Sequence, residues 1–339
     1  MASGVQEAPR RQTVGGPAVD HPGLTLAIKG TLRVMKFGGT SIGYPTGLTQ
    51  VLRLIRQASS SCDLVIVVSA AAGVTDALHR AVGHDTTAPY DNLGLIEDVY
   101  RRLCLVALSG TAAQEFETSL ADTLDVVRCQ VESGPLTAPE IADVVTTGER
   151  LSAQLVASAL SCMGIPAAAA DSRTLVRTGE AADGQTVDTT ATYDQIRTWQ
   201  TGYDRRCIPV VTGYAAADSS GRTTTLGRGG SDYTATLIAA ALRASVVDRW
   251  TDVDGIYTED PRRNGRATRL AMMHLQTAAG EARLGKTGIH PEALVPLIEA
   301  GIPMRVRSTV ASAGGTLLTP GTDLDPQPAS KWKVIPGLY

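Results

Sequence analysis

The run LVIVVSA (64–70) constrains the fold more than any other segment. It is continuously apolar, too short for a buried helix, and lacks the alternation of a sheet with one wet face. Such a run is expected of a strand buried on both faces, as in a parallel sheet covered by helices. TLRVMKF (31–37), IPVVT (208–212) and VVDRWTD (246–252) read as companion strands. Helical spacing fills the intervals. Residues 46–58 put Leu48, Val51, Leu52 and Ile55 on one face, a helix starts near Val74, and residues 93–132 read as a long helical pair. DVVTTGERLSAQLVASAL reads as a strand-like start, a Gly turn, and a helix from about Glu149. A further helix is expected from about Ser231 to Arg243. The alternation predicts an α/β fold with a mostly parallel sheet.

Composition narrows the function. Hydrophobic residues make up 43% of the 339, enough for a large core. A net charge of −3 argues against a surface built for nucleic acid or anionic lipid. No apolar run reaches the roughly 18 residues of a membrane span. The five cysteines (Cys62, Cys104, Cys129, Cys162, Cys207) are widely spaced and form no CxxC, so buried free thiols and a reducing, cytoplasmic setting are expected. Lysine is confined to Lys29, Lys36, Lys286, Lys331 and Lys333, which makes Lys36 and Lys286 conspicuous within the body of the chain.

Four Gly-bearing segments follow the expected strands: KFGGTS (36–41), SAAAGVT (69–75), TTGER (146–150) and TTLGRGGSD (224–232). Loops at the carboxyl ends of parallel strands converge on one crevice. Gly38 and Gly39 would let the backbone approach phosphate oxygens, and Lys36 just before them could follow a transferring phosphoryl group. A plain turn with a solvated lysine reads equally well. Arg228, set among glycines, suits bidentate capture of a carboxylate or phosphate. Ser231 and Asp232 would open a helix; Asp232 could cap it, or hold Mg²⁺ and orient the lysine. Glu149 at a helix start answers the dipole, or binds a substrate ammonium. Ser69 and Thr75 are hydroxyl donors beside a turn. The stretch 250–262 is either a turn or a nucleotide loop, with Thr251 and Asp252 near ribose or phosphate, Tyr257 beside the base and Arg262 on phosphates. His290, before Pro291, reads as capping or packing. No Ser/His/Asp or Cys/His arrangement is evident, and the histidines form no metal-ligand pair.

Together the motifs resemble the catalytic domain of aspartokinases, in the amino acid kinase superfamily, over roughly residues 32–319. The resemblance rests on VMKFGGTS, VVSAAAGVTDAL, TTGERLSAQL, GRTTTLGRGGSDYTATLIAAAL, WTDVDGIYTEDPR, GKTGIHPEALVPL and IPMRVRST. It implies a three-layer α/β/α sandwich in two lobes, and phosphorylation of the L-aspartate side-chain carboxylate by ATP. Lys36 and Asp232 would be the catalytic pair. Ser69, Thr75, Glu149, Arg228 and Gly229 would bind substrate, with Arg228 on the α-carboxylate and Glu149 on the α-ammonium. Gly38, Gly39, Ser41, Thr251, Asp252, Tyr257, Arg262 and Lys286 would bind nucleotide. Mg²⁺ would be held mainly by the ATP phosphates, with Asp232 as the candidate protein ligand.

The implied organisation is a flexible tail (1–30), an amino-acid lobe carrying the phosphoryl-transfer lysine (31–205), a nucleotide lobe (206–320) and a C-terminal tail (321–339), with the lobe junction around 213–230. Aspartokinases usually continue into two ACT regulatory modules, and the resemblance stops where these would begin. The expectation is therefore an enzyme without built-in feedback that serves a specialised pathway, acting as a homodimer or beside a separate regulatory subunit. A substituted aspartate as substrate and a non-catalytic nucleotide-binding homologue are the alternatives. The segment IGYPTGL after KFGGTS departs from the family pattern.

Overall fold

The computed structural model describes residues 31–83, 89–181, 184–204, 206–261, 264–311 and 314–321. The expected N-terminal tail, the expected C-terminal tail beyond residue 321, and Arg262 lie outside these residues. The chain begins β1 (Leu32–Phe37), α1 (Gly39–Ile42), α2 (Pro45–Ser59), β2 (Asp63–Val68), α3 (Val74–Val82), α4 (Pro89–Ala107) and α5 (Gly110–Glu132). It continues with α6 (Ala138–Val145), α7 (Thr147–Cys162), β3 (Ala167–Ala170), β4 (Thr178–Ala181), β5 (Gly184–Val187), α8 (Thr189–Gly202), β6 (Ile208–Thr212), β7 (Ala215–Ala217) and β8 (Thr223–Thr225). The last elements are α9 (Gly230–Leu242), β9 (Val246–Thr251), β10 (Met272–His274), α10 (Leu275–Arg283), α11 (Val295–Ala300), β11 (Met304–Ser308) and β12 (Thr316–Thr319).

Eight strands form one sheet in the order β10-β12-β11-β9-β1-β2-β6-β3. The six from β11 to β3 are mutually parallel, and β12 runs antiparallel to β11. The sheet is therefore mostly parallel, as LVIVVSA requires: Leu64 through Val68 are all buried. Because side chains alternate along a strand, β1 feeds two cores. Met35 and Phe37 pack with α2, α3, α4, α5 and α7. Val34 packs with α8, α9, α10 and α11 on the other side. The result is a three-layer α/β/α sandwich.

Strand order also locates a crevice. From β1 the chain crosses through α2 to β2 on one side; from β6 it returns through α9 to β9 on the other side of β1. The order thus reverses between β1 and β9, and the carboxyl ends of strands at such a reversal diverge into a binding crevice.

One element differs from expectation. DVVTT is not a strand; it joins α6 to α7. A capping box opens α6, with the Thr137 N–H donating to Glu140 Oε2 at 2.8 Å. Val144 and Val145, β-branched residues that suggest a strand, are fully buried against the α2-side core, so packing overrides their propensity. All five cysteines are free, but of the expected buried thiols only Cys104 is buried; Cys62 and Cys207 are partly buried, and Cys129 and Cys162 are exposed on α5 and α7. The Gly-rich stretch after residue 213 contains the β7–β8 hairpin.

Helix α2 buries Leu48, Val51 and Ile55 completely, while Arg53 is exposed. Ile55→Ala should therefore lower stability by about 2–5 kcal/mol. Arg53→Ala should stay within about 0.5 kcal/mol. Denaturant unfolding of both variants checks this contrast.

Candidate active site

The carboxyl ends of four neighbouring strands, β9, β1, β2 and β6, open into a cleft of about 570 Å³. All four Gly-bearing segments contribute to its wall. Close approach depends on glycine at two points. A Cβ on Gly39 would lie 2.7 Å from the Ala70 carbonyl oxygen, so a side chain there would push apart the turns after β1 and β2. Gly229 has φ +73°, and a Cβ there would lie 2.5 Å from His290 Cβ.

At the floor, one carboxylate holds two cations. Lys36 and Arg249 are register partners on β1 and β9 and share a face of the sheet. Asp232, in the first turn of α9, meets Lys36 Nζ through Oδ1 at 2.8 Å. Its Oδ2 accepts from Arg249 Nε at 2.8 Å. Arg249 is fixed further by donating to the Gly288 carbonyl at 2.7 Å. Burial pushes the Asp232 carboxyl up, but Arg249 and Lys36 outweigh it and bring it down to about 2. Asp232 is therefore ionised at neutral pH, and the trio carries one net positive charge next to the Gly38–Gly39 turn.

Above it sits a second carboxylate that, among the described residues, pairs with no cation. Glu149 Oε2 accepts from the N–H groups of Gly213, at 3.1 Å, and Tyr214. Oε1 accepts from the Ser231 hydroxyl at 3.0 Å, which in turn accepts from the Ser69 hydroxyl at 3.0 Å. Glu149 is 3% exposed and its side chain lines the cleft. Burial dominates and raises its pKa to about 7, although these donors and Lys36 oppose the rise. The group is poised to ionise fully when a cation arrives. The fully buried Tyr100 supports this corner, sharing a hydrogen bond of 2.8 Å with Ser152 and donating to the Gly148 carbonyl.

Lys36, Gly38, Gly39, Ser69, Thr75, Glu149, Arg228, Gly229, Asp232, Thr251 and Asp252 all line the cleft. Arg228 is exposed at its wall. Three other expected residues do not line it. Ser41 is buried and its hydroxyl bonds that of Thr309 at 2.6 Å. The Tyr257 hydroxyl donates to Asp254 at 2.7 Å. Lys286 pairs with Glu281 at 2.7 Å. Conversely, Arg249, Tyr214 and His290 line the cleft and were not anticipated for it. The signal for Arg249 was a charged residue inside an otherwise buried strand. His290 was read only as capping or packing, because its approach to Gly229 spans a long stretch of chain.

The residues present fit a phosphate-bearing ligand: a glycine turn, two cations and the first turn of α9 face one cleft. They do not form a protein metal cage. Among the described residues no group of three or more metal-ligating side chains occurs. Both Asp232 oxygens are already engaged.

Comparison with known proteins agrees with this geometry. A sequence profile of the amino acid kinase family matches residues 31–308. Lysine-sensitive aspartokinase 3 of Escherichia coli is 33% identical over 298 residues, covering 86% of this chain and 65% of that protein. The aspartokinase of Chlamydia pneumoniae is 31% identical, covering 84% and 62% respectively. The crystal structure of E. coli aspartokinase III in complex with aspartate and ADP superposes with a TM-score of 0.79 at 30% identity, covering 86% of this chain and 65% of that one. The chain thus spans a little under two thirds of the length of these relatives.

The raised Glu149 pKa has a measurable consequence. Between pH 4.5, its ordinary value, and about 7, the folded chain holds a proton that the unfolded chain has released. That stabilisation is complete below 4.5 and is lost as pH rises through about 7. From about pH 5 to about pH 8 the parent should lose up to about 3 kcal/mol relative to Glu149→Gln. Chemical denaturation of both proteins at the two pH values checks the sign.

Proposed function

The chain belongs to the amino acid kinase family, and on that footing we propose that it phosphorylates the side-chain carboxylate of L-aspartate with ATP, giving 4-phospho-L-aspartate. The observation that carries this reading is the placement of two differently prepared carboxylates in one cleft. Asp232 is neutralised twice over by Lys36 and Arg249, whereas Glu149 has hydrogen-bond donors but, among the described residues, no ion-pair partner. The first arrangement suits a phosphoryl group; the second suits an ammonium. Similarity to a protein whose structure was solved with aspartate and ADP points the same way.

In this proposal Glu149 receives the substrate α-ammonium and Arg228 the α-carboxylate, with Ser69 and Thr75 beside them. Residues 31–205 supply most of the amino-acid side and residues 206–320 the nucleotide side. ATP would supply the γ-phosphoryl group, with Mg²⁺ held chiefly by its phosphates. Gly38 and Gly39 offer backbone approach to those phosphates, and Thr251 and Asp252 flank them. The acceptor carboxylate is ionised at neutral pH, with an ordinary pKa of about 3.9. It is its own nucleophile, and no general base is needed. Lys36 neutralises charge as it shifts between oxygens, and Asp232 and Arg249 hold the lysine in line. Roles for Ser41, Tyr257, Arg262 and Lys286 on the nucleotide side belong to the same proposal. A cytoplasmic setting accords with five free cysteines, and assembly as a homodimer completes the reading.

Trapping the acyl phosphate with hydroxylamine tests it. Purified protein with Mg-ATP should give aspartyl hydroxamate from L-aspartate, and little from glutamate, N-acetylglutamate or β-substituted aspartates. Product from another acid instead of aspartate overturns the substrate; product from none overturns the kinase reading. Lys36→Met should lower kcat by about 10²–10³-fold. Arg228→Ala should chiefly raise the KM for the amino acid, by about tenfold or more. Affinity for the amino acid should rise as pH increases through about 7, because the ionised Glu149 binds the ammonium.

A further inference from the structure

The face of the sheet opposite Lys36 carries a second, unassigned concentration of charge. Met35 is in register with Asp248, Asp248 with Arg305, and Trp250 with Arg307, so these side chains point to the α2 side of the sheet, as does Arg33. There Arg33, Met35, Trp250, Arg305 and Arg307 line a cavity of about 330 Å³ together with Leu54 and Ala58 of α2. Asp248 is fully buried beneath it. Its carboxylate is approached by Arg305 Nε at 2.6 Å and Arg33 Nε at 3.4 Å.

Arg307 is the residue this arrangement does not satisfy. Its guanidinium lies over the Trp250 ring, 4.6 Å from the centroid. Among the described residues no carboxylate lies within ion-pair distance of it. Burial lowers its pKa, Asp248 opposes that, and Arg305 and Arg33, which line the same cavity, lower it further. An arginine stays charged under such pressure. The Trp250 indole N–H is likewise buried without an acceptor. Among the described residues the Arg307 charge meets no carboxylate, in a cavity the size of a small-molecule site. A partly desolvated charge of this kind is relieved by an anion that accepts from the planar guanidinium fork.

We propose that this cavity is a second ligand site, which takes a small oxyanion, phosphate or dicarboxylate, on Arg307, with Arg33 and Arg305 beside it. It is separate from the cleft but not remote from it. Trp250 forms its wall, and the Trp250 carbonyl accepts the Gly38 N–H at 3.1 Å in the cleft's glycine turn. The inference does not depend on which acid the cleft phosphorylates.

Thermal unfolding of the full chain tests it, with inorganic phosphate, succinate or potassium chloride added at matched ionic strength. Phosphate or succinate should raise Tm saturably beyond chloride, and whichever acts identifies the class of anion. Arg307→Gln should raise the half-saturating concentration about tenfold or more. Lys36→Met should leave it unchanged. A response no larger than that of chloride overturns the proposal. So does an equal response in Arg307→Gln, or one abolished by Lys36→Met, which would assign binding to the cleft. Should Arg307→Gln fail to fold, crystals of the parent soaked in tungstate decide: density beside Arg307 supports the site, and density confined to the cleft or absent overturns it.

Discussion

A single buried carboxylate organises the cleft end of this molecule. Asp232 sits in the first turn of α9 and ties together Lys36 of β1 and Arg249 of β9, neighbours across the point where strand order reverses. Removing Asp232 would leave two buried cations without their shared carboxylate, which costs far more than the pairing contributes when intact. The trio therefore fixes the position of α9 over the sheet as well as the position of the lysine. Preorganisation of this kind is what phosphoryl transfer asks of a protein, since the protein does little covalent work in that reaction.

The second carboxylate is prepared in the opposite way. Glu149 is buried among neutral donors, so its ionised form is held in place but not neutralised. An arriving ammonium gains most where the charge it meets has been stripped of water and left unpaired. The contrast between Asp232, brought down to about 2, and Glu149, raised to about 7, follows from partners rather than depth, because both are almost completely buried.

The same alternation that sends Lys36 and Arg249 toward the cleft sends Asp248 and Trp250 to the far side of the sheet. One strand, β9, thus serves two cavities with successive residues. Its carbonyl at Trp250 anchors the glycine turn, and its indole backs the arginine cluster. Charged residues in a strand buried on both faces are costly, and here each meets a partner of opposite sign on its own side, Arg249 with Asp232 and Asp248 with Arg305.

The local signals in the sequence reached far. LVIVVSA by itself demanded a sheet covered on both faces, the spacing of Leu48, Val51, Leu52 and Ile55 gave a helix to cover it, and glycines after strands marked loops that meet at one crevice. These are short-range consequences of side-chain period and backbone freedom, so they are legible without the fold. What only tertiary structure decided is which side chains face which. Val144 and Val145 look like strand residues until their burial against the α2-side core is known. Ser41 and Lys286 look available until Thr309 and Glu281 are found beside them. Arg249 and His290 join the cleft through contacts with residues distant in the chain, and the layout of a whole sheet face leaves Arg307 with no carboxylate among the described residues. Electrostatic roles depend on distances between segments that the linear order does not encode, and for that reason the chemistry of single residues was set by the fold, while the architecture that brings them together was already written in the pattern.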